Sequence, residues 1–542
     1  MKVSKMVFGS TGKAGLKIEF RYNPTLINLV KTLSGRKFHA EPYGKFWTCP
    51  MTLSNISLLK EWGFFITSDI IDYMESLITK IEDVVDVEIP PTKFPLFEYQ
   101  KKGVSFIEAK NGRVLIADEM GLGKTCQALT WVNLHPEKKP VVIVVPASLK
   151  LNWERECKIW INNPNTQIIS GKKPYPLTGE IIIINYDIVG SWLVTLISIN
   201  PVIIITDECH KWKNPDAKRT KAIKTLARRV PHIIALSGSP IENRPVEIYN
   251  VINVLAPEIA GSYRGFTMRY CAGHQNHWGW DASGSSNIPE LHEKLTSSIM
   301  IRRKKEDVLK DLPGKIRSIV PMELKSRRNY DRAEQDFIEF VKSEKGLMAA
   351  EKASKAEALV QISALKQIAA QEKLEGAIDW IKDHLDTNGK LVVFGVHKNI
   401  INQVMDALVD YHPVKVDGST PNDIRQKNVD TFQNDDSCRV FIGNIQAAGV
   451  GLNLFSASHV VFIELPWTSS SLFQAEDRCH RIGQKADFVN IYYLISQGTI
   501  EEKIIELLSE KSKILDAVID GIPMENMDIF TTLIKSFEKK VK

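Results

Sequence analysis

From about Val104 onward, short aliphatic runs alternate with longer segments whose apolar positions recur every three to four residues. The runs "RVLIAD", "PVVIVVP", "EIIIINYD", "PVIIITD" and "HIIALSG" carry few polar interruptions, which predicts strands buried on both faces of a parallel sheet, joined by helices. A second series, "KLVVFG", "VKVDGS", "CRVFIGN", "HVVFIEL" and "VNIYYLI", repeats the pattern between Lys390 and Ile495. Two similar α/β lobes are expected. Between them lies a segment rich in Ala, Glu, Lys and Leu, where Leu359, Ile362, Leu365 and Ile368 fall at helical spacing and predict a helical insertion. The beginning of the chain differs: a strand-like "KIEFRY", a helix opened by Pro24, a turn at Ser34-Gly35 and the aromatics Phe46 and Trp47 predict a small α+β module. The expected order is this module over 1–90, a first lobe over 91–323, the helical insertion over 324–372, a second lobe over 373–521 and a tail over 522–542.

Composition adds limits rather than detail. The 542 residues are 44% apolar and 25% charged, which is ordinary for a globular protein and excludes fibrous or disulfide-scaffold classes. Seventy basic against 64 acidic residues leave +6, an excess that permits a polyanionic partner without demonstrating one. Seven scattered cysteines with no C-x-x-C pair suit a reducing compartment, so an intracellular protein is expected, in the cytoplasm or on a nucleoid. A monomer is expected. The aliphatic runs are far shorter than the roughly 20 residues a membrane helix needs, and the amino terminus lacks a signal-peptide core. Neither a membrane span nor secretion is expected.

Chemistry enters with "ADEMGLGKT", Ala117 to Thr125, which follows one predicted strand and opens a helix. In the loop Met120-Gly121-Leu122-Gly123 the glycines let backbone N–H groups close around phosphates, Lys124 reaches the β and γ oxygens, and the Thr125 hydroxyl can ligate magnesium. The general phosphate-loop pattern has glycine where Asp118 stands. In "IIITDECHKWKN", Asp207 ends a strand, where it can hold the same magnesium, and Glu208 can orient or deprotonate the attacking water. Cys209 and His210 lack the further ligands of a zinc site and the base of a thiol enzyme, and read as incidental to catalysis. In "QAEDRCHRIGQ", Gln474, Arg478 and Arg481 stand at i, i+4 and i+7, which predicts one helical face able to stabilise a transferred phosphoryl group if the second lobe closes on the first. "CAGHQNH" offers Cys271, His274 and His277 without a fourth metal ligand.

Taken in order over about Phe94 to Gly521, "FEYQKKGVSFI", "DEMGLGKT", "DECH", "LSGSPIENRPVEIYN", "IMIRRKKEDVLKDLPGK", "AAGVGLNL" and "QAEDRCHRIGQ" resemble the Swi/Snf family of superfamily-two DNA translocases. The resemblance implies two RecA-like lobes, ATP and Mg2+ as cofactors, adenine recognition by Gln100, nucleotide bound between the lobes, and ATP-driven movement along double-stranded DNA lying across both. DNA phosphates would then be gripped by loops such as Pro146 to Lys150, through Pro146, Ser148 and Lys150, and by Gly449, Gly451 and Asn453. Two further stretches, "RYCAGHQNHWGWDASGSSNIPELHEKL" and "IEFRYNPTLINLVKTLSGRKFHAEPYGKFWTCP", resemble the annealing-helicase branch with its HARP module, in a compact form similar to bacterial or phage members. That implies action on branched DNA in repair, replication or recombination. A strand-separating helicase or a chromatin-type remodeller would use the same motor; a non-hydrolysing DNA-binding scaffold would not need Lys124, Asp207, Glu208, Arg478 and Arg481 intact.

Overall fold

The computed structural model describes all residues except 8–13, 34, 41–44, 78–82, 242–243, 278, 310–311, 344–351, 450 and 509–542. At the amino end, β1 (Lys2–Val7), β2 (Ala14–Glu19), β3 (Lys37–His39), β4 (Phe46–Pro50) and β5 (Phe65–Ile66) form one sheet in the order β3-β4-β2-β1-β5. Alternate residues Val3, Leu16 and Ile18 turn inward against Val30, Ile56, Leu59 and Ile70 of the helices, giving this module its own core. Its first helix starts at Pro24, where the fixed φ suits a first turn, and Asn23 Oδ1 accepts from the N–H groups of Thr25 and Leu26 at 3.0 and 3.2 Å.

The first lobe holds β6 (Arg113–Ile116), β7 (Val141–Val145), β8 (Thr166–Ile168), β9 (Ile181–Asn185), β10 (Ile203–Asp207) and β11 (His232–Leu236), then a separate hairpin of β12 (His274–Asn276) and β13 (Gly279–Asp281), and the short β14 (Met300–Ile301). Its sheet is parallel throughout, in the order β14-β6-β11-β10-β7-β9-β8. The residues of β7, β9 and β11 are buried without exception, as helices on both faces require. The second lobe builds another all-parallel sheet from β15 (Gly314–Met322), β16 (Leu391–Gly395), β17 (Val414–Val416), β18 (Val440–Asn444), β19 (His459–Phe462) and β20 (Phe488–Ser496), in the order β15-β20-β19-β16-β18-β17.

The chain divides into two compact units, one with Met1–Glu119 and Gly123–Arg303, the other with Met120–Leu122 and the described residues from Lys304 on. Two stretches pack differently from the division read in the sequence. The strand β15, expected inside a first lobe ending at 323, pairs along all nine residues with β20 of the second sheet. The segment 324–372, expected as an insertion, is two helices, Arg327–Ser343 and Lys352–Glu372, whose Tyr330, Phe337, Ile362, Leu365 and Ala369 share one core with Val392, Phe462 and Ile491 of that sheet. The amino-terminal module belongs to the first unit, where its helix Leu53–Glu61 lies against Pro257–Ala260. The tail expected over 522–542 lies outside the described residues. Among those described, no helix is long and apolar enough to cross a membrane.

Candidate nucleotide site

The strands β6 and β10 both border β11 and run parallel to it, so the loop after β6 and the turn after β10 leave the sheet at the same edge. Past β6 the chain turns through Gly121 and Gly123, both left-handed (φ 87° and 77°), and the helix Lys124–Leu134 begins. A Cβ on Gly123 would stand 2.5 Å from Gln100 Nε2 and 2.9 Å from Cys126 Sγ, so with its left-handed φ any side chain there would be strained and would displace Gln100 or Cys126. Gln100 is buried; its Oε1 accepts from the N–H of Phe97 at 3.0 Å, closing the first turn of the helix Glu98–Ala109. Met120 and Leu122 are buried. Lys124 Nζ donates to the carbonyls of Asp118 and Glu119 at 2.8 and 3.2 Å. Burial lowers its pKa, and the carboxylates of Glu208, Asp118 and Asp207 oppose that shift. Thr125 is partly exposed in the first turn of the same helix.

Asp207 is the last residue of β10. Its Oδ2 accepts from Trp153 Nε1 at 2.9 Å and its Oδ1 from the N–H of Glu208 at 3.0 Å, while its main-chain carbonyl accepts from Tyr186 at 2.6 Å. Burial, followed by the neighbouring Glu208 charge, pushes the Asp207 carboxyl up to about 7. Glu208 itself sits at φ 52°, ψ 55°, a left-handed conformation that a non-glycine residue adopts at a cost and that is concentrated at functional sites. Its Oε2 is buried and accepts no hydrogen bond among the described residues. Two carboxylates beside one ammonium, with an unmatched oxygen, form a hard-oxygen set suited to Mg2+, and Thr125 offers a further oxygen of the same kind.

Cys209 is buried, and burial raises its thiol pKa well above the usual range, which disfavours the reactive thiolate. His210, set aside in the sequence reading, has a structural part: its Nδ1 lies 3.4 Å from Glu208 Oε2 and 3.2 Å from Ser237 Oγ, joining the acidic turn to the "LSGSP" turn after β11. No periodicity or spacing could have signalled a link between residues on different strands. Cys271 is likewise buried, and among the described residues no three or more His, Cys, Asp or Glu side chains cluster as ligands for one metal ion.

In the second unit the helix Ser469–Glu476 carries Gln474 but stops before Arg478 and Arg481. The expectation that all three share one helical face is thus corrected. Beyond Asp477 the bonds tighten to i→i−3, Arg478 N–H reaching Ala475 O and Cys479 N–H reaching Glu476 O, as at many helix ends. Glu476 takes Arg317 at 2.7 Å and Tyr493 at 2.5 Å; Asp477 takes Lys305 at 3.0 Å and Lys315 at 2.5 Å. Burial acts to raise the Asp477 pKa, but Lys305 and Lys315 outweigh it and hold the carboxyl well below its usual range. Arg478 is buried, its Nε donating to Gln474 O at 2.7 Å and its Nη1 to Leu452 O at 3.2 Å. Arg481 is partly exposed, with Nε on Asp477 O at 3.1 Å and Nη1 on Asn453 Oδ1.

Of the residues expected at DNA, Pro146 and Ser148 are partly exposed at the turn after β7. Lys150 donates to Ile169 O at 2.8 Å, and burial lowers its pKa. Asn453 is exposed, Gly451 is left-handed (φ 74°), and Gly449 ends the short helix Ile445–Ala448 that Asn444 caps.

A model of the SNF2-related domain matches residues 99–374, about half of the chain, and a model of the helicase conserved C-terminal domain matches 372–483. The chain belongs to the SNF2-related family. Within that family, it is 32% identical over 472 residues to the human DNA annealing helicase and endonuclease ZRANB3, covering 84% of this chain and 43% of that protein. It is 35% identical over 454 residues to the Xenopus laevis SWI/SNF-related matrix-associated actin-dependent regulator of chromatin subfamily A-like protein 1, covering 81% and 46%. The Caenorhabditis elegans homolog of the latter is 32% identical over 539 residues, covering 93% and 74%; a match of that extent reaches into the residues before 99. The chain spans less than half the length of the first two of these SNF2-related proteins. A Sulfolobus solfataricus SWI2/SNF2 ATPase core in complex with dsDNA is 24% identical, with a TM-score of 0.40 over 84% of this chain and 98% of that one.

Proposed function

We propose that this chain is a DNA-dependent ATPase that moves along double-stranded DNA and remodels branched DNA, by fork regression or strand annealing. The observation that carries the reading is the meeting of Lys124, Asp207 and Glu208 at one edge of the first sheet, with a buried Glu208 oxygen that accepts no hydrogen bond among the described residues. Kinship with the annealing helicases supports the branched substrate. In this reading Gly121, Gly123 and Lys124 bind the nucleotide phosphates, with Met120 and Leu122 shaping the loop and Gln100 on the adenine side. Thr125 and Asp207 hold Mg2+, which when bound neutralises phosphate charge. Glu208 takes the proton of the attacking water. Arg478 and Arg481, with Gln474, serve the transferred phosphoryl group, and Pro146, Ser148, Lys150, Gly449, Gly451 and Asn453 meet DNA phosphates, Lys150 after giving up its bond to Ile169.

Phosphate release with and without duplex DNA tests the reading. Stimulation by DNA is expected, and its absence would remove the motor. Glu208→Gln is expected to bind a fluorescent ATP analogue normally and to lose nearly all turnover, because the amide cannot accept the proton; near-normal turnover would take Glu208 out of the chemistry.

A further inference from the structure

Asp118, the departure from the general phosphate loop, is fully buried. A carboxylate in that position requires charged or hydrogen-bonding partners. Arg303 supplies them, with Nε on Asp118 Oδ1 at 2.9 Å and Nη2 on Asp118 Oδ2. The same guanidinium donates from Nη2 to Gln127 Oε1 at 2.8 Å and from Nη1 to the carbonyl of Tyr99, and Gln127 Nε2 donates to Asp118 Oδ2 at 3.1 Å. One side chain thereby joins the entry of the phosphate loop, the helix that follows it and the helix carrying Gln100. The main chain reinforces the link: Ala117 N–H donates to Ile301 O at 2.8 Å and Glu119 N–H to Arg303 O at 2.9 Å.

Two residues further on, Lys305 is also buried. Its Nζ lies 3.0 Å from Asp477 Oδ2 and donates to His480 O at 3.0 Å. Asp477 closes the helix from which the turn with Arg478 and Arg481 departs, and its carbonyl accepts from Arg481 Nε. Arg303 is the last residue of the first unit and Lys304 the first of the stretch that continues the second.

We propose that Arg303 and Lys305 are positioning residues for ATP hydrolysis, the two anchors of a three-residue tie that holds the phosphate loop at one end and the arginine turn at the other. The proposal rests on the ATPase reading above and adds the device that makes one end answer to the other. A segment of three residues spans at most about 10 Å when fully extended, so it has little slack to absorb a displacement of either anchor. Lysine could not replace Arg303, because only the planar fork reaches two carboxylate oxygens and an amide together.

The decisive variant inserts two glycines between Arg303 and Lys304. Both sets of hydrogen bonds stay available and only the length between them changes. Melting temperature and affinity for a fluorescent ATP analogue are expected to match the parent, while DNA-stimulated kcat falls about tenfold or more. A kcat within about twofold of the parent, or equal losses in affinity and kcat, would overturn the tie. Arg303→Lys is the second variant, expected to weaken nucleotide binding about tenfold with a smaller effect on kcat. Unchanged affinity would overturn the Arg303 anchor. If the parent released no phosphate with DNA, the ATPase reading would fail, while nucleotide affinity in Arg303→Lys would still decide whether Arg303 positions the loop.

Discussion

Arg478 and Arg481 lie three positions apart and differ in what they hold. Arg478 spends its guanidinium on two buried carbonyls, whereas Arg481 is partly exposed and reaches the Asn453 side chain. Arg478→Gln should therefore leave buried acceptors unmatched at roughly 1–3 kcal/mol, visible as a lower melting temperature. Arg481→Gln should leave melting unchanged and reduce turnover by a factor on the order of 10³, as for an arginine finger. If both variants melted like the parent, or Arg481→Gln lost less than about tenfold, the division would be wrong. The phosphate loop, Asp207 and Glu208 were legible because strand, loop and helix follow directly in sequence. The partner of Asp118 was not, since Arg303 is remote in the chain and its own neighbours, Arg302 and Lys304, look equally basic.

Strands showed themselves where both faces are buried, as in β7 and β9, because nothing polar interrupts them. The strand β15 escaped that reading: it is an edge strand with Lys315 and Arg317 at alternate positions, paired with Asp477 and Glu476 at the end of the helix Ser469–Glu476. In the amino-terminal module the aromatics separate by exposure. Trp47 packs against the module core, while Tyr22 and Phe38 are 86% and 53% exposed, near the exposed cations Arg21, Arg36 and Lys37. Exposed rings beside cations suit unpaired bases and phosphates. Tyr22→Ala and Phe38→Ala together should leave ATPase on linear duplex within about twofold of the parent and lower fork-stimulated ATPase several-fold, since base stacking is worth about 1–3 kcal/mol per base. Equal activity on both substrates in the double variant would remove the module from branch recognition.

For the molecule as a whole, a net charge of +6 is too small to say where a polyanion binds, and only the motifs direct attention to DNA. If the grip is mainly on phosphates, affinity for duplex should fall linearly with salt on a log–log plot, by about 0.9 per phosphate neutralised, and unrelated sequences should bind alike. A preference of about tenfold for one duplex sequence at matched length and salt would contradict this. The division between lobes was the least legible feature of the whole, because it depends on which sheet captures β15 and periodicity carries no information about pairing partners.

That capture has a consequence for biosynthesis. The strand β15 pairs with β20 in a register running from Gly314 opposite Phe488 to Met322 opposite Ser496. On the ribosome it must wait for nearly the whole second lobe to emerge before its ladder can form. Nascent chains halted before β20 would carry a long unpaired edge, the species most prone to associate with one another, and would be the natural clients of a chaperone.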